Sequence, residues 1–179
     1  MEAIILLFFF VIYVLFRVLF AEKSSEERDN LRFSEGVVML QNKNWVGAEK
    51  YFASTVVTHP KSAMAWTSLG ICHFYQSEML MAQVCFEKAI ALDNLALTFF
   101  FRGKIAYQEH NFKQALIEFN KAIWYKRKDA VAYRWKANTL LALGEQEQAI
   151  KCFRDAVKLG DEISNGYIQQ YNIPSERRK

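Results

Sequence analysis

The sequence predicts an all-α chain: one apolar N-terminal helix, four stacked helical hairpins and a short closing helix. Three observations carry that reading. Residues Ala3 to Ala21 form an apolar run interrupted only by Arg17. A helical pattern then recurs about every 34 residues from Asp29 to Ile163. Turn-forming residues are scarce, with 7 Gly and 2 Pro (Pro60 and Pro174) in 179 residues, whereas strand-rich folds need many more.

Bulk composition narrows the options. Apolar residues make up 52% and aromatics 15%, enough to bury a core in the roughly 150 residues left after the apolar run. The formal charge of +4 is spread over many helices, so nucleic acid is not implied. Cys72, Cys85 and Cys152 are odd in number and lack CxxC spacing. They read as small buried hydrophobes in a reducing compartment, not as a disulfide framework or a zinc site.

The N-terminal run is read as an uncleaved transmembrane anchor over residues 1–21. Its 19 residues, 18 of them apolar, span about 28 Å as a helix, close to bilayer thickness. A cleaved leader would need a basic start and small residues before the cut, but Glu2 is the only charge ahead of the run and Leu19 precedes Ala21. Arg17, Lys23, Arg28 and Arg32 all follow the run, which predicts an outside N-terminus and a cytoplasmic or stromal helical domain. Arg17 can snorkel to the headgroups. Alternatively, Tyr13 and Arg17, four residues apart, form a stripe against another membrane helix. Without small-xxx-small spacing, tight self-pairing in the membrane is not predicted. Residues 22–28 (EKSSEER) form a charged linker, about 23–25 Å at full stretch or about 10 Å as helix.

Ala48, Ala82, Ala115 and Ala149 set the phase of the repeat, at intervals of 34, 33 and 34. Four residues after each comes Phe52, Phe86, Phe119 or Phe153, and three further on Thr55, Ala89, Ala122 or Ala156. Twelve before each lies Gly36, Gly70, Gly103 or Ala137. Small side chains permit close helix crossing, and the aromatic fills the gap between that pair and the next. On these residues, and most fully on Trp66, Leu69, Gly70, Ala82, Phe86 and Ala89, the chain resembles the tetratricopeptide repeat family. His73 stands where that pattern has Tyr, and Ala137 where it has Gly. The resemblance implies a right-handed superhelical solenoid with hairpins at 29–62, 63–95, 96–129 and 130–163. Residues 164–179 follow as a capping helix, N-capped by Ser164, and the basic tail Arg177-Arg178-Lys179.

No metal cluster, P-loop or nucleophile elbow is visible, and His59, His73 and His110 are isolated. The sequence therefore predicts no enzyme, cofactor, metal or small-molecule substrate. Stacked hairpins offer a concave groove instead. Mapped by the family's pattern, the groove takes Phe33, Val37, Leu40, Thr67, Ile71, Phe74, Tyr75, Phe100, Lys104, Tyr107, Arg134, Asn138 and Leu141. Such a surface suits an apolar or amphipathic protein segment, although several of these side chains could equally pack between hairpins. The family's carboxylate-clamp positions fall on Phe33, Val37, Ser68, Leu97 and Phe101, or in a shifted frame on Thr67, Ile71 and Phe101. None of these can grip an acidic tail. Trp124, just before Lys126-Arg127-Lys128, is a candidate outer-face contact.

The layout resembles the photosystem I-associated tetratricopeptide proteins. It also resembles the anchored N-terminal part of bacterial lipopolysaccharide-assembly regulators, without their rubredoxin-like Cys module. Both imply a membrane-anchored scaffold or assembly factor whose partners are membrane-complex subunits. A permanent subunit of a large membrane complex is an alternative, and a periplasmic chaperone or secretion component is another if the topology is reversed.

Overall fold

The computed structural model describes Leu7, residues 9–13 and residues 25–171. Leu7 and residues 9–13 are helical, and Tyr13 is exposed. Most of the apolar run, including Arg17, lies outside the described residues, as do the first three linker positions, Pro174 and the basic tail. Among the described residues no helix is long and apolar enough to cross a membrane.

From Ser25 onward the described chain is helical throughout, with no strand. The helices are α1 (Ser25–Arg32), α2 (Ser34–Gln41), α3 (Trp45–Thr58), α4 (Ala63–Tyr75) and α5 (Met79–Leu92). They continue with α6 (Ala96–Gln108), α7 (Phe112–Tyr125), α8 (Ala130–Ala142), α9 (Gln146–Lys158) and α10 (Ile163–Tyr171). Residues 25–28 of the expected linker are thus already part of a helix. α1 runs into α2 through Phe33, whose N–H donates to the Asp29 carbonyl at 2.8 Å and whose own carbonyl accepts from Val37 at 3.0 Å.

Short polar side chains start four of the helices. Asn44, Ser62, Asn111 and Asp129 accept from the N–H three residues on, at 3.1–3.2 Å, which satisfies a donor that has no partner inside the helix. Each tight hairpin turn places one residue in the left-handed region: Lys43 (φ 57), Ser77 (φ 65), His110 (φ 57) and Gly144 (φ 81). The following N–H then reaches back to Met39, His73, Ala106 or Leu140 at 2.8–2.9 Å. Only the last turn uses glycine, the residue that adopts this geometry without penalty.

The recurring small residues and aromatics lock together inside each hairpin. Ala48, Ala82, Ala115 and Ala149 are fully buried, as are Phe52, Phe86, Phe119 and Phe153. A Cβ added at Gly70 would lie 2.6 Å from the Phe86 ring, and one at Gly103 2.7 Å from Phe119. Each ring also reaches the next unit. Phe86 stacks on Phe101 (6.2 Å, 24°), Phe119 on Trp135 (6.1 Å, 28°) and Phe153 on Tyr167 of α10 (4.8 Å, 2°). The closing helix therefore covers the last hairpin as a further hairpin would. Ser164 is not its N-cap: it sits inside the first turn, buried, and its hydroxyl donates to Asp161.

Candidate functional site: the concave face

The first helix of each hairpin contributes to the concave face, and the structure divides the predicted groove into two groups. Phe33, Thr67, Ile71 and Phe74 are buried and are used by the stack itself. Phe33 meets His59 edge-on at 5.3 Å. The Thr67 and Thr98 hydroxyls are 2.6 Å apart. Ile71 and Phe74 pack with Phe86, Phe101 and Ile105. Val37 and Leu40 are half-buried against the first two core clusters. The four buried positions do not offer a free surface, because side chains of the stack itself fill the space that a partner would need.

The second group is accessible. Tyr75 is 43% exposed and stacks on Trp45 at 4.0 Å and 11°. Beside it the Lys104 ammonium sits among four rings: 4.7 Å from Phe74, and 5.3 Å from each of Tyr75, Phe101 and Trp135. The rings' negative faces attract the cation, while burial lowers the lysine's pKa below its ordinary value. Phe100 lies half-buried beneath, against Phe119 at 5.9 Å. Tyr107 continues the row, edge-on to Trp135 at 5.4 Å. Tyr107, Asn138 and Leu141 then open into a cleft of about 370 Å³, closed on its far side by Tyr167 and Tyr171 of α10.

Arg134 is not a free groove cation. Its Nε donates to Asp161 Oδ2 at 2.9 Å, and the same carboxylate receives the Ser164 hydroxyl, so Arg134 ties the fourth hairpin to the closing helix. Trp45, Trp135, Tyr167 and Tyr171 are groove residues that the sequence mapping missed. Three lie in second or closing helices, outside the register that the mapping used, and Trp135 sits in a first helix one position after the mapped Arg134.

On the opposite face Trp124 is 69% exposed, with the Arg127 guanidinium 5.5 Å from its ring. The three cysteines are buried and free, and burial pushes the Cys72 and Cys85 thiols up to about 12 and about 11. His73 is buried, with Nδ1 2.6 Å from Glu78 Oε2. Among the described residues no group of three His, Cys, Asp or Glu side chains could hold a metal.

Comparison with known proteins places this architecture. A tetratricopeptide repeat model matches residues 130–159, and the fold of the whole stack is a tetratricopeptide-type α-solenoid. A tetratricopeptide repeat-containing protein of Methanocaldococcus jannaschii is 24% identical over 143 residues, covering 79% of this chain and 25% of its own length; the chain thus spans about a quarter of that relative. MamA of Desulfovibrio magneticus superposes with a TM-score of 0.67 at 16% identity, over 86% of this chain and 87% of that one. The first tetratricopeptide domain of Spaghetti, bound to an HSP90 peptide of sequence SRMEEVD, superposes with a TM-score of 0.58 at 19% identity, over 62% of this chain and 90% of that one. These structural likenesses concern the fold. At the clamp positions considered above, this chain carries the buried Phe33, Ser68 and Phe101.

Proposed function

We propose that the protein is a non-enzymatic scaffold that binds an extended or helical segment of a protein partner along its concave face. The observation that carries this reading is the run of accessible aromatics from Tyr75 past Lys104 and Tyr107 to the Asn138–Leu141 cleft. Flat rings supply contact area at little conformational cost, and one partly desolvated ammonium selects an acidic or carbonyl-rich spot on the partner. The neighbour bound to a peptide shows what this fold can do in another protein. The clamp positions argue against an acidic chaperone tail here.

The anchoring part of the proposal rests on the sequence. Residues 1–21 would hold the stack at a membrane surface with the N-terminus outside and the helical domain cytoplasmic or stromal. Membrane-complex subunits then become the favoured partners, because tethering raises their effective concentration. Within the bilayer Arg17 would snorkel to the headgroups, with a Tyr13/Arg17 stripe against another membrane helix as the alternative.

A photoreactive amino acid placed at Tyr75 or Asn138, with Lys151 on the exposed side of α9 as control, tests the groove. Crosslinks to a membrane-complex subunit from the two groove positions, lost on Lys104→Glu, are expected. Equal crosslinking from Lys151 would overturn the groove assignment. Cysteine-accessibility labelling in sealed vesicles tests the orientation separately, and an external helical domain would reverse it.

A further inference from the structure

The third hairpin buries a carboxylate at a position where the other three carry uncharged side chains. Three residues after the phase-setting Ala stand Tyr51, Cys85, Glu118 and Cys152. Glu118 is 1% exposed. Its Oε1 is well supplied: Gln114 Nε2 donates at 2.7 Å, and Arg102 and Lys121 each stand 3.6 Å away. Its Oε2 is buried with no hydrogen-bond partner. A buried carboxylate oxygen without a donor is costly, and native structures rarely leave one so.

Glu118 forms the floor of a cleft of about 210 Å³ between α5, α6 and α7, whose other polar lining residues are Gln83, Glu87, Arg102, Glu109 and Gln114. Arg102 of α6 and Glu109 just past its end line this cleft, whereas Lys104 and Tyr107 of α6 lie on the concave groove. The lining thus carries three carboxylates against one guanidinium. Glu87 and Glu109 stand exposed at the rim, with Glu109 accepting from Gln83 at 3.2 Å. A metal ion is a poor match, since these carboxylates do not converge into a metal-holding group. An organic cation with several N–H donors fits both the charge and the unfilled acceptor.

We propose that this outer cleft is a receptor for one cationic side chain, arginine or lysine, of a protein partner. The guest's N–H groups supply Oε2 and replace the Gln114 bond to Oε1, the half-buried Gln114 side chain swinging aside to solvent, and its charge is balanced by Glu87 and Glu109. The site lies across α6 from the concave groove, so its fate is independent of the groove reading.

Titrating the full-length chain with agmatine, followed by ¹H–¹⁵N NMR, tests the proposal, with N-butylurea, which carries no charge, as the neutral isostere of its guanidinium arm. Saturable shifts confined to Arg102, Glu109, Gln114 and Glu118 are expected with agmatine alone, weakening as salt screens the rim charges. Glu118→Gln should raise the dissociation constant about tenfold, by loss of a charge-assisted bond. The double variant Glu87→Gln/Glu109→Gln alters only the exposed rim and should raise it about threefold with unchanged helical circular dichroism. Linear, unsaturating shifts, or an equal response to the neutral isostere, would overturn the proposal and leave Oε2 to an ordered water. So would unchanged agmatine affinity in the rim variant.

Discussion

The second and third hairpins share one backbone plan and differ in what they bury. Both lock a fully buried Phe against a Gly in the partner helix, Phe86 on Gly70 and Phe119 on Gly103, at nearly the same clearance. Around that lock the chemistry diverges. The second hairpin surrounds it with Leu69 and Cys85, both buried, whereas the third uses Arg102 and Glu118. Their outer surfaces differ as well. Ahead of the second hairpin, Gln76 Nε2 donates to Glu49 Oε2 at 2.7 Å across the junction; ahead of the third, Glu87, Glu109 and Glu118 line an acidic cleft. A repeat of this kind conserves shape at the lock and leaves polarity free one residue away. That freedom lets otherwise equivalent units take on different binding roles.

The shared lock is the part of the comparison with the largest expected effect. Phe86→Ala and Phe119→Ala should each cost about 3–5 kcal/mol in chemical denaturation, because both rings are fully buried and leave a cavity. Similar losses in the two hairpins would confirm a common lock; a loss in only one would break the equivalence. The next effect separates the hairpins. Arg102→Leu alone should cost about 2 kcal/mol, since it removes a cation from a buried carboxylate that already lacks one bond. Adding Glu118→Cys recreates the Leu69/Cys85 pair of the second hairpin and should restore stability to within about 1 kcal/mol of the parent or above it. Failure of that rescue would mean that the polar pair is needed for packing in its own right.

Gly70→Ala and Gly103→Ala probe the clearance itself. Each should cost about 1–2 kcal/mol, because the new Cβ meets a ring that cannot move out of a fully buried position. The fourth hairpin carries Ala137 at this position, so the reverse change Ala137→Gly isolates the backbone contribution. The smallest effect lies in the turns. Ser77→Gly and His110→Gly should each stabilise by about 0.5–1 kcal/mol, as both residues hold a positive φ. Equal gains in thermal unfolding would show that the two turns are interchangeable although the interiors are not.

Much of this architecture was legible from residue spacing. The small residues and aromatics were readable because each hairpin makes the same local contact, so one physical constraint is written four times. The caps at Asn44, Ser62, Asn111 and Asp129 were not singled out from the sequence, and the one cap that was, Ser164, lies inside its helix. The groove was less legible. A position rule cannot tell that Ile71 and Phe74 are covered by Phe101 of the next hairpin, that Arg134 is taken by Asp161, 27 residues on, or that Tyr167 and Tyr171 complete the far end. Those outcomes depend on neighbours whose approach is set by the stacking.

The sequence alone determined the helical hairpin and its phase, because a 3.6-residue helical period combined with 33–34-residue spacing leaves little choice of which faces are buried within one unit. The tertiary structure alone decided what each side chain is free to do. Lys104 becomes caged by rings from three hairpins, and Glu118 is left with an empty acceptor beneath an acidic cleft. Burial and charge at those points are properties of the junction between repeats, and no single repeat encodes them.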